Sequence, residues 1–117
     1  MVVEADLAVR ESLKFSLEAE GFKVRVYETP EQLLREGHLP EAGVLIVHYH
    51  LSSMNGLDLI LEMRRRTSIP ALLVTGRISG AIRKRASDVG VSVVVKPFLG
   101  ADLTDRIRQL LSPPRES

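Results

Sequence analysis

The chain has 117 residues, of which 44% are hydrophobic and 26% charged, a composition typical of one ordinary globular domain. It contains no cysteine, which excludes disulfides, thiol catalysis and cysteine-ligated metal clusters. The net charge of +1 is too small to attract nucleic acid or an anionic membrane, and no apolar run approaches the roughly 20 residues that span a bilayer.

The spacing of the apolar residues alternates along the chain between runs typical of strands and the three- to four-residue recurrence of amphipathic helices. In chain order the predicted elements are a strand at 1–3, a helix at 7–20, a strand at 22–27, a short helix from 30, a strand at 43–47, a helix at 57–66, a strand at 70–76, a helix at 78–89, a strand at 92–95 and a helix at 103–111. Thr29 and Pro30 are a typical N-cap and first helical residue. Strict alternation of strand and helix predicts one domain over residues 1–112, a doubly wound (βα)5 parallel sheet with helices on both faces. A flexible tail is expected at 113–117.

In a sheet of this kind, functional side chains gather at the carboxyl ends of the strands. The segments that follow the predicted strands are therefore the candidate site. They are Glu4-Ala5-Asp6, Tyr27-Glu28, His48-Tyr49-His50, Thr75-Gly76 and Lys96-Pro97. Two basic runs, 64–66 and 83–85, lie on predicted helices, where we expect solvated faces paired with nearby acids.

Four segments resemble the receiver domain of two-component response regulators, in order, spacing and placement at strand ends. They are Val3-Glu4-Ala5-Asp6, Met54-Asn55-Gly56-Leu57-Asp58-Leu59, Leu73-Val74-Thr75-Gly76 and the stretch from Gly90 to Lys96-Pro97-Phe98. The resemblance covers almost the whole chain. It implies a flavodoxin-like fold with strand order 2-1-3-4-5.

The same resemblance shows where this chain departs from the family. In the family, an aspartate at the end of the third strand takes a phosphoryl group from a phosphohistidine, and an acidic pair holds Mg²⁺. An ungapped alignment places His48 at the position of that aspartate and Glu4 with Ala5 at the acidic pair. Val93 stands at the position of the aromatic switch residue, whereas Thr75 and Lys96 match the family.

The expectation is therefore an atypical receiver, a pseudo-receiver, which is not an enzyme and has lost Mg²⁺ binding and needs no other cofactor. Lys96 is expected to neutralise Glu4 in a partly buried ion pair. We expect a stand-alone cytoplasmic domain that acts by phosphorylation-independent contact with a signalling protein, which is a histidine kinase, a response regulator or an output protein. No nucleic acid or membrane partner is expected.

One surface is predicted to carry those contacts, formed by the fourth helix, the fifth strand and the fifth helix. Opposite charges on the two helices suit a two-fold contact and a homodimer. The residues of this face are Arg83, Lys84, Val93, Asp102, Asp105 and Arg106.

Two alternatives remain open from the sequence. The first is a ligand- or metal-binding sensor that uses His48, His50 and Glu4 in the former phosphorylation pocket, since His-x-His on a strand places both rings on one face. The second is a histidine-phosphate relay on His48.

Overall fold

Ten elements alternate along the chain in the computed structural model, which describes residues 1–37, 39, 42–51, 53–76, 79–95 and 102–111. The elements are β1 (Val2–Val3), α1 (Leu7–Ala19), β2 (Val26–Tyr27), α2 (Pro30–Leu34), β3 (Leu45–His48), α3 (Gly56–Met63), β4 (Ala71–Thr75), α4 (Gly80–Asp88), β5 (Ser92–Val95) and α5 (Asp102–Leu111). The five strands form one parallel sheet in the order β2-β1-β3-β4-β5. The predicted doubly wound architecture is confirmed.

The strands place alternate side chains on opposite faces of the sheet, and both faces are covered. Val47 and Leu73 belong to the core cluster that includes α3, whereas Ile46 and Leu72 belong to the cluster that includes α1 and α5. These four side chains are at most 4% exposed. Full burial of one such side chain contributes about 1.5–3 kcal/mol, so the two-sided core explains the unbroken apolar run of β3.

Local side-chain caps begin the first four helices. Asp6, Thr29, Asn55 and Ser79 each accept a hydrogen bond from the backbone N–H three residues later, which satisfies one of the donors left free at a helix start. The predicted Thr29-Pro30 start of α2 is confirmed.

The second strand is shorter than predicted. The alternating run at 22–27 pairs with β1 as a strand only over Val26–Tyr27. The reason is that β1 itself has two residues, Val2 and Val3, so a longer β2 has no ladder to join. The predicted boundary at 112 and the tail at 113–117 fall outside the described residues.

The arginine run at 64–66 is organised differently from the expectation of acid-paired, solvated arginines. Among the residues that the structure describes, only Arg65 of this run pairs with an acid, Glu62, at 3.6 Å. Arg64 donates to the carbonyls of Val89 and Gly90 at the end of α4, and Arg66 donates to the Leu34 carbonyl at the end of α2, at 2.7 Å. These guanidinium groups satisfy carbonyls that a helix end leaves without partners. None of the described helices is long and apolar enough to cross a membrane.

Candidate functional site at the carboxyl ends of the strands

The sheet register brings Glu4 and His48 side by side. Val3 pairs with Val47 across β1 and β3, so the next residue of each strand reaches the same edge. Glu4 is 3% exposed, and its Oε2 lies 3.9 Å from His48 Nδ1. Thr75, at the end of β4, is fully buried at the same edge.

The segment after Glu4 turns away from the pocket because Asp6 serves as the N-cap of α1. Its Oδ1 accepts from Val9 N–H at 3.0 Å, while its own N–H points back to Glu4 Oε2 at 3.4 Å. Arg10 donates to the Glu4 carbonyl at 3.0 Å and holds this turn against α1. Ala5 is exposed and adds no charge, so Glu4 is the carboxylate that this segment supplies to the pocket.

The ring of His48 is held by the backbone of the loop that follows it. Its Nδ1 lies 3.2 Å from both the N–H and the carbonyl oxygen of His50. Nδ1 accepts from that N–H or donates to that carbonyl oxygen, according to the tautomer of the ring. His48 therefore helps to close the turn after β3 as well as lying beside Glu4.

His50, the third residue of the metal-sensor hypothesis, lies apart from the pair formed by Glu4 and His48. The His50 ring is exposed and packs edge-on against Tyr49 with centroids 5.1 Å apart, at 6.0 Å from the His48 ring. Within the described part of the chain, no three His, Asp or Glu side chains are grouped as metal ligands. The structure brings Glu4 and His48 together and does not bring His50 to them as a ligand.

Gly56, the first residue of α3, packs closely against the backbone at the end of β3. A Cβ at this position would lie 2.3 Å from the His48 carbonyl oxygen and 2.9 Å from its carbon. The Gly56 N–H donates to the Tyr49 carbonyl at 2.7 Å. Sequence reasoning identified this glycine as part of a loop motif but not its contact with His48, because the contact depends on how the loop folds back onto β3.

A second feature that sequence reasoning missed links the start of α3 to α4. Asn55 caps α3 and also donates from Nδ2 to Asp58 at 2.9 Å. The other oxygen of Asp58 pairs with Arg85 of α4. The sequence signal for this pair is weak, since the partners are 27 positions apart.

Lys96 lies outside the described residues, so its expected ion pair with Glu4 stays a prediction. On the predicted interaction face, Arg83 and Lys84 are exposed on α4, and Lys84 pairs with Asp88 at 3.2 Å. Val93, Asp105 and Arg106 line one cleft between β5 and α5. The Asp102 side chain falls outside the described part.

Comparisons with known proteins agree with this geometry. The model of the response regulator receiver domain matches residues 1–108. The sensory transduction protein RegX3 of Mycolicibacterium smegmatis is 30% identical over 112 residues, 95% of this chain and 49% of that protein. The aerobic respiration control protein ArcA of Escherichia coli is 31% identical over 118 residues, 96% of this chain and 48% of that protein. The chain thus spans about half the length of these relatives.

Solved structures show the same flavodoxin-like fold. A CheY-like response regulator receiver domain from Methanospirillum hungatei superposes with a TM-score of 0.80 at 25% identity, covering 94% of this chain and 90% of that one. The non-phosphorylated HemR receiver domain from Leptospira biflexa has a TM-score of 0.79 at 23% identity, with 99% and 95% covered.

Proposed function

Because the chain belongs to the response regulator receiver domain family, we propose that it is a pseudo-receiver, which signals by contact with another protein without phosphorylation of its own pocket. The observation that carries this proposal is the residue at the end of β3. His48 stands there, beside the buried Glu4, where the family resemblance implies the phosphoacceptor aspartate.

The chemistry of the pocket argues against aspartyl phosphorylation. A carboxylate oxygen is required to form an acyl phosphate, and His48 offers a ring nitrogen instead. Nδ1 already lies 3.2 Å from the backbone N–H and carbonyl oxygen of His50, and this contact must break before Nδ1 can act as a nucleophile. We therefore propose that no aspartate of this pocket accepts a phosphoryl group.

The side chains at the pocket also do not fit the Mg²⁺ that the family resemblance implies. Mg²⁺ demands near-octahedral oxygen coordination and is usually bound through one or two carboxylates. Of the three side chains that the alignment assigns to this role, Glu4 supplies a carboxylate, Ala5 a methyl group and His48 an imidazole. Glu4 is instead held by the Asp6 N–H and by the neighbouring His48 ring.

Because direct contacts within the protein hold the pocket, we expect the domain to present its binding surface without a phosphoryl group. The partner we propose is a protein of a two-component-type pathway, which is a histidine kinase, a response regulator or an output protein. The face formed by α4, β5 and α5 is its proposed docking site, since α4 exposes the cations Arg83 and Lys84 and α5 exposes the Asp105 carboxylate. Such mixed charges give specificity and association rate more than affinity.

The decisive experiment is an amide NMR titration of the protein with Mg²⁺ and a small acyl-phosphate donor. The matched control is the double variant Ala5→Asp, His48→Asp, which restores the family's carboxylates. We expect the amide resonances of Glu4, Thr75 and position 48 to stay in place in the natural chain and to move in the double variant. A natural chain that responds as the double variant does would refute the proposal.

The same samples separate the two alternatives. A phosphohistidine on His48 is an acid-labile adduct that intact-mass measurement detects, and it would identify a relay. A rise in melting temperature with Zn²⁺ that disappears in His48→Ala would identify a metal sensor. We expect neither.

A further inference from the structure

The fifth strand forms one edge of the sheet, and its own residues do not block that edge. β5 pairs with β4 and, in the described sheet, with no other strand. Its residues, Ser92–Val95, include three valines and carry no charge or proline, which are usual means of protecting an open edge. Val95 is 38% exposed. An exposed, β-branched edge of this kind is a template for a further strand.

The backbone groups on the outer edge of β5 follow from the hydrogen bonds of its neighbours. Tyr49 N–H donates to the Val74 carbonyl, so Val74 turns its backbone groups toward β3 and Leu73 turns its own toward β5. Leu73 lies opposite Val93, and in a parallel pair its N–H and C=O bond to the residues on either side of Val93. Val93 and Val95 therefore point their N–H groups outward. Within the described chain, no hydrogen bond reaches these two groups.

The flank of α4 beside this edge carries Arg83. Ile82 and Ala86 face the core, and Arg85 reaches sideways to Asp58 of α3. At 3.6 residues per turn, Arg83 lies about 160° around the helix from Arg85, on the flank turned away from α3. Because α3 contacts β3 and β4 whereas α4 contacts β5, that flank faces the open edge of the sheet.

Arg106 lies beside the same edge, on the other face of the sheet. Leu103 and Ile107 of α5 face the core, and Arg108 reaches Glu20 of α1 at 2.9 Å. Arg106 lies about 160° around the helix from Arg108, on the flank turned away from α1, and it lines a cleft with the three valines of β5. The edge of β5 is therefore the floor of a cleft, with an arginine on each face.

Arg83 and Arg106 differ from the other described arginines in having no partner inside the described chain. Each of the others makes an ion pair or a hydrogen bond. Among the described residues, Asp105 is the acid that lines the cleft, so two arginines and one aspartate flank the edge. Two unpaired guanidinium groups beside open backbone groups fit an extended segment with carboxylate side chains.

We propose that an extended acidic segment of a partner protein adds to β5 as a sixth strand. Its backbone pairs with the outward groups of Val93 and Val95, and its side chains alternate between the two faces. Two adjacent acidic residues therefore reach Arg83 on one face and Arg106 on the other. The site belongs to the docking face of the proposed function, on which the inference rests, and it specifies the form of partner that this face accepts.

A second copy of the chain fits this edge less well than an extended segment does. The β5 strand of a second copy lies at the floor of an identical cleft. The α5 walls of the two copies would meet before the two strands came within the roughly 4.8 Å of a ladder. The same two unpaired arginines would also stand on both sides of the joint. A segment without folded structure has no such walls and reaches the edge.

The test is an amide NMR titration with the acetylated and amidated peptide Thr-Val-Thr-Glu-Glu-Val-Thr-Val, up to about 2 mM, a range suited to a short, weak ligand. We expect the amide resonances of Val93 and Val95 to move, and transferred NOEs to show the bound peptide extended. The peptide with Lys-Lys in place of Glu-Glu should bind at least roughly fivefold more weakly. Methylation of alternate peptide nitrogens should abolish binding for one set of positions and spare it for the other, because one set alone faces β5.

Protein variants test the arginines and the edge separately. Arg83→Glu and Arg106→Glu should each weaken binding roughly fivefold. Lys84→Glu is the matched control on the same helix, at a residue that pairs with Asp88 at 3.2 Å, and it should leave the constant unchanged. Val93→Pro removes an outward N–H without breaking the ladder to β4 and should abolish binding. If that variant does not fold, the arginine variants and the methylated peptides still decide the question.

An acidic peptide that does not bind overturns the inference. So does a loss from Lys84→Glu as large as that from Arg83→Glu, a bound peptide that is helical, or self-association that Val93→Pro removes while no peptide binds. Repeating the titration with Mg²⁺ and the acyl-phosphate donor separates this inference from the proposed function. Binding that appears only with the donor supports the strand site and refutes phosphorylation-independent action, whereas no binding under either condition refutes the strand site alone.

Discussion

Replacement of Gly56 by alanine should disrupt the loop that carries His48. The added Cβ would lie 2.3 Å from the His48 carbonyl oxygen, whereas ordinary van der Waals contact begins at 3.4 Å. A gap of roughly 1 Å must open. The two nearest atoms belong to the His48 backbone, and the third is Cγ1 of the buried Val47 side chain, at 2.9 Å.

The expected size follows from two opposing effects. Overpacking of this kind costs about 1–3 kcal/mol, and contact with backbone places the cost at the upper end. Alanine in place of glycine also lowers the conformational entropy of the unfolded chain. Where alanine can adopt the native backbone conformation, this stabilises the folded protein by about 0.4–1 kcal/mol. We therefore expect Gly56→Ala to lower the free energy of unfolding by about 2 kcal/mol.

Gly80 supplies a matched control. It is also the first residue of a capped helix, α4, and its added Cβ would meet nothing within 4 Å among the described residues. Gly80→Ala should be neutral or stabilising by up to about 1 kcal/mol. Urea unfolding of both variants measures the difference. Equal stability of the two variants would refute the reasoning, since the contacts of the added Cβ with His48 and Val47 distinguish Gly56 from Gly80.

Three further predictions concern Arg64, the Met1 amino group and Tyr27. Arg64→Ala should lower the free energy of unfolding in urea by about 1 kcal/mol, because two hydrogen bonds to the end of α4 are lost. Arg65→Ala, the control, should lower it by less than about 0.5 kcal/mol. Equal losses would contradict the capping role of Arg64. Burial, and then the charge of Arg25, lower the pKa of the Met1 amino group to about 6. The unfolded chain then binds more protons between pH 6 and 8, and the free energy of unfolding should fall by roughly 2–3 kcal/mol as the pH drops through this range. Residues added before Met1 turn the amine into a peptide N–H and should abolish this dependence; its persistence would assign it to another group. Burial, and then the hydrogen bond to Glu36, raise the pKa of Tyr27, so its contribution is present below pH 10 and is lost as the pH rises through the folded pKa. Tyr27→Phe should flatten this alkaline loss, and an unchanged slope would contradict it.

Much of the fold was predictable because the signals are local. The period of the apolar residues separated strands from helices, and the Thr29-Pro30 start of α2 needs only neighbouring residues. Parallel topology then placed Glu4, His48 and Thr75 at one edge of the sheet. The length of β2 was not predictable in this way, since a strand ends where its partner ends.

The resemblance to the receiver family also assigned positions to His48 and Ala5 from the sequence, through an ungapped alignment of the strand-end segments. Tertiary structure alone decided how these residues are held: the 3.9 Å between Glu4 and His48, the contact of Gly56 with the His48 backbone, and the capping of α4 by Arg64. The physical reason is the range of the interactions. Periodicity and helix caps depend on residues within one or two turns, whereas these distances depend on how distant segments pack against each other.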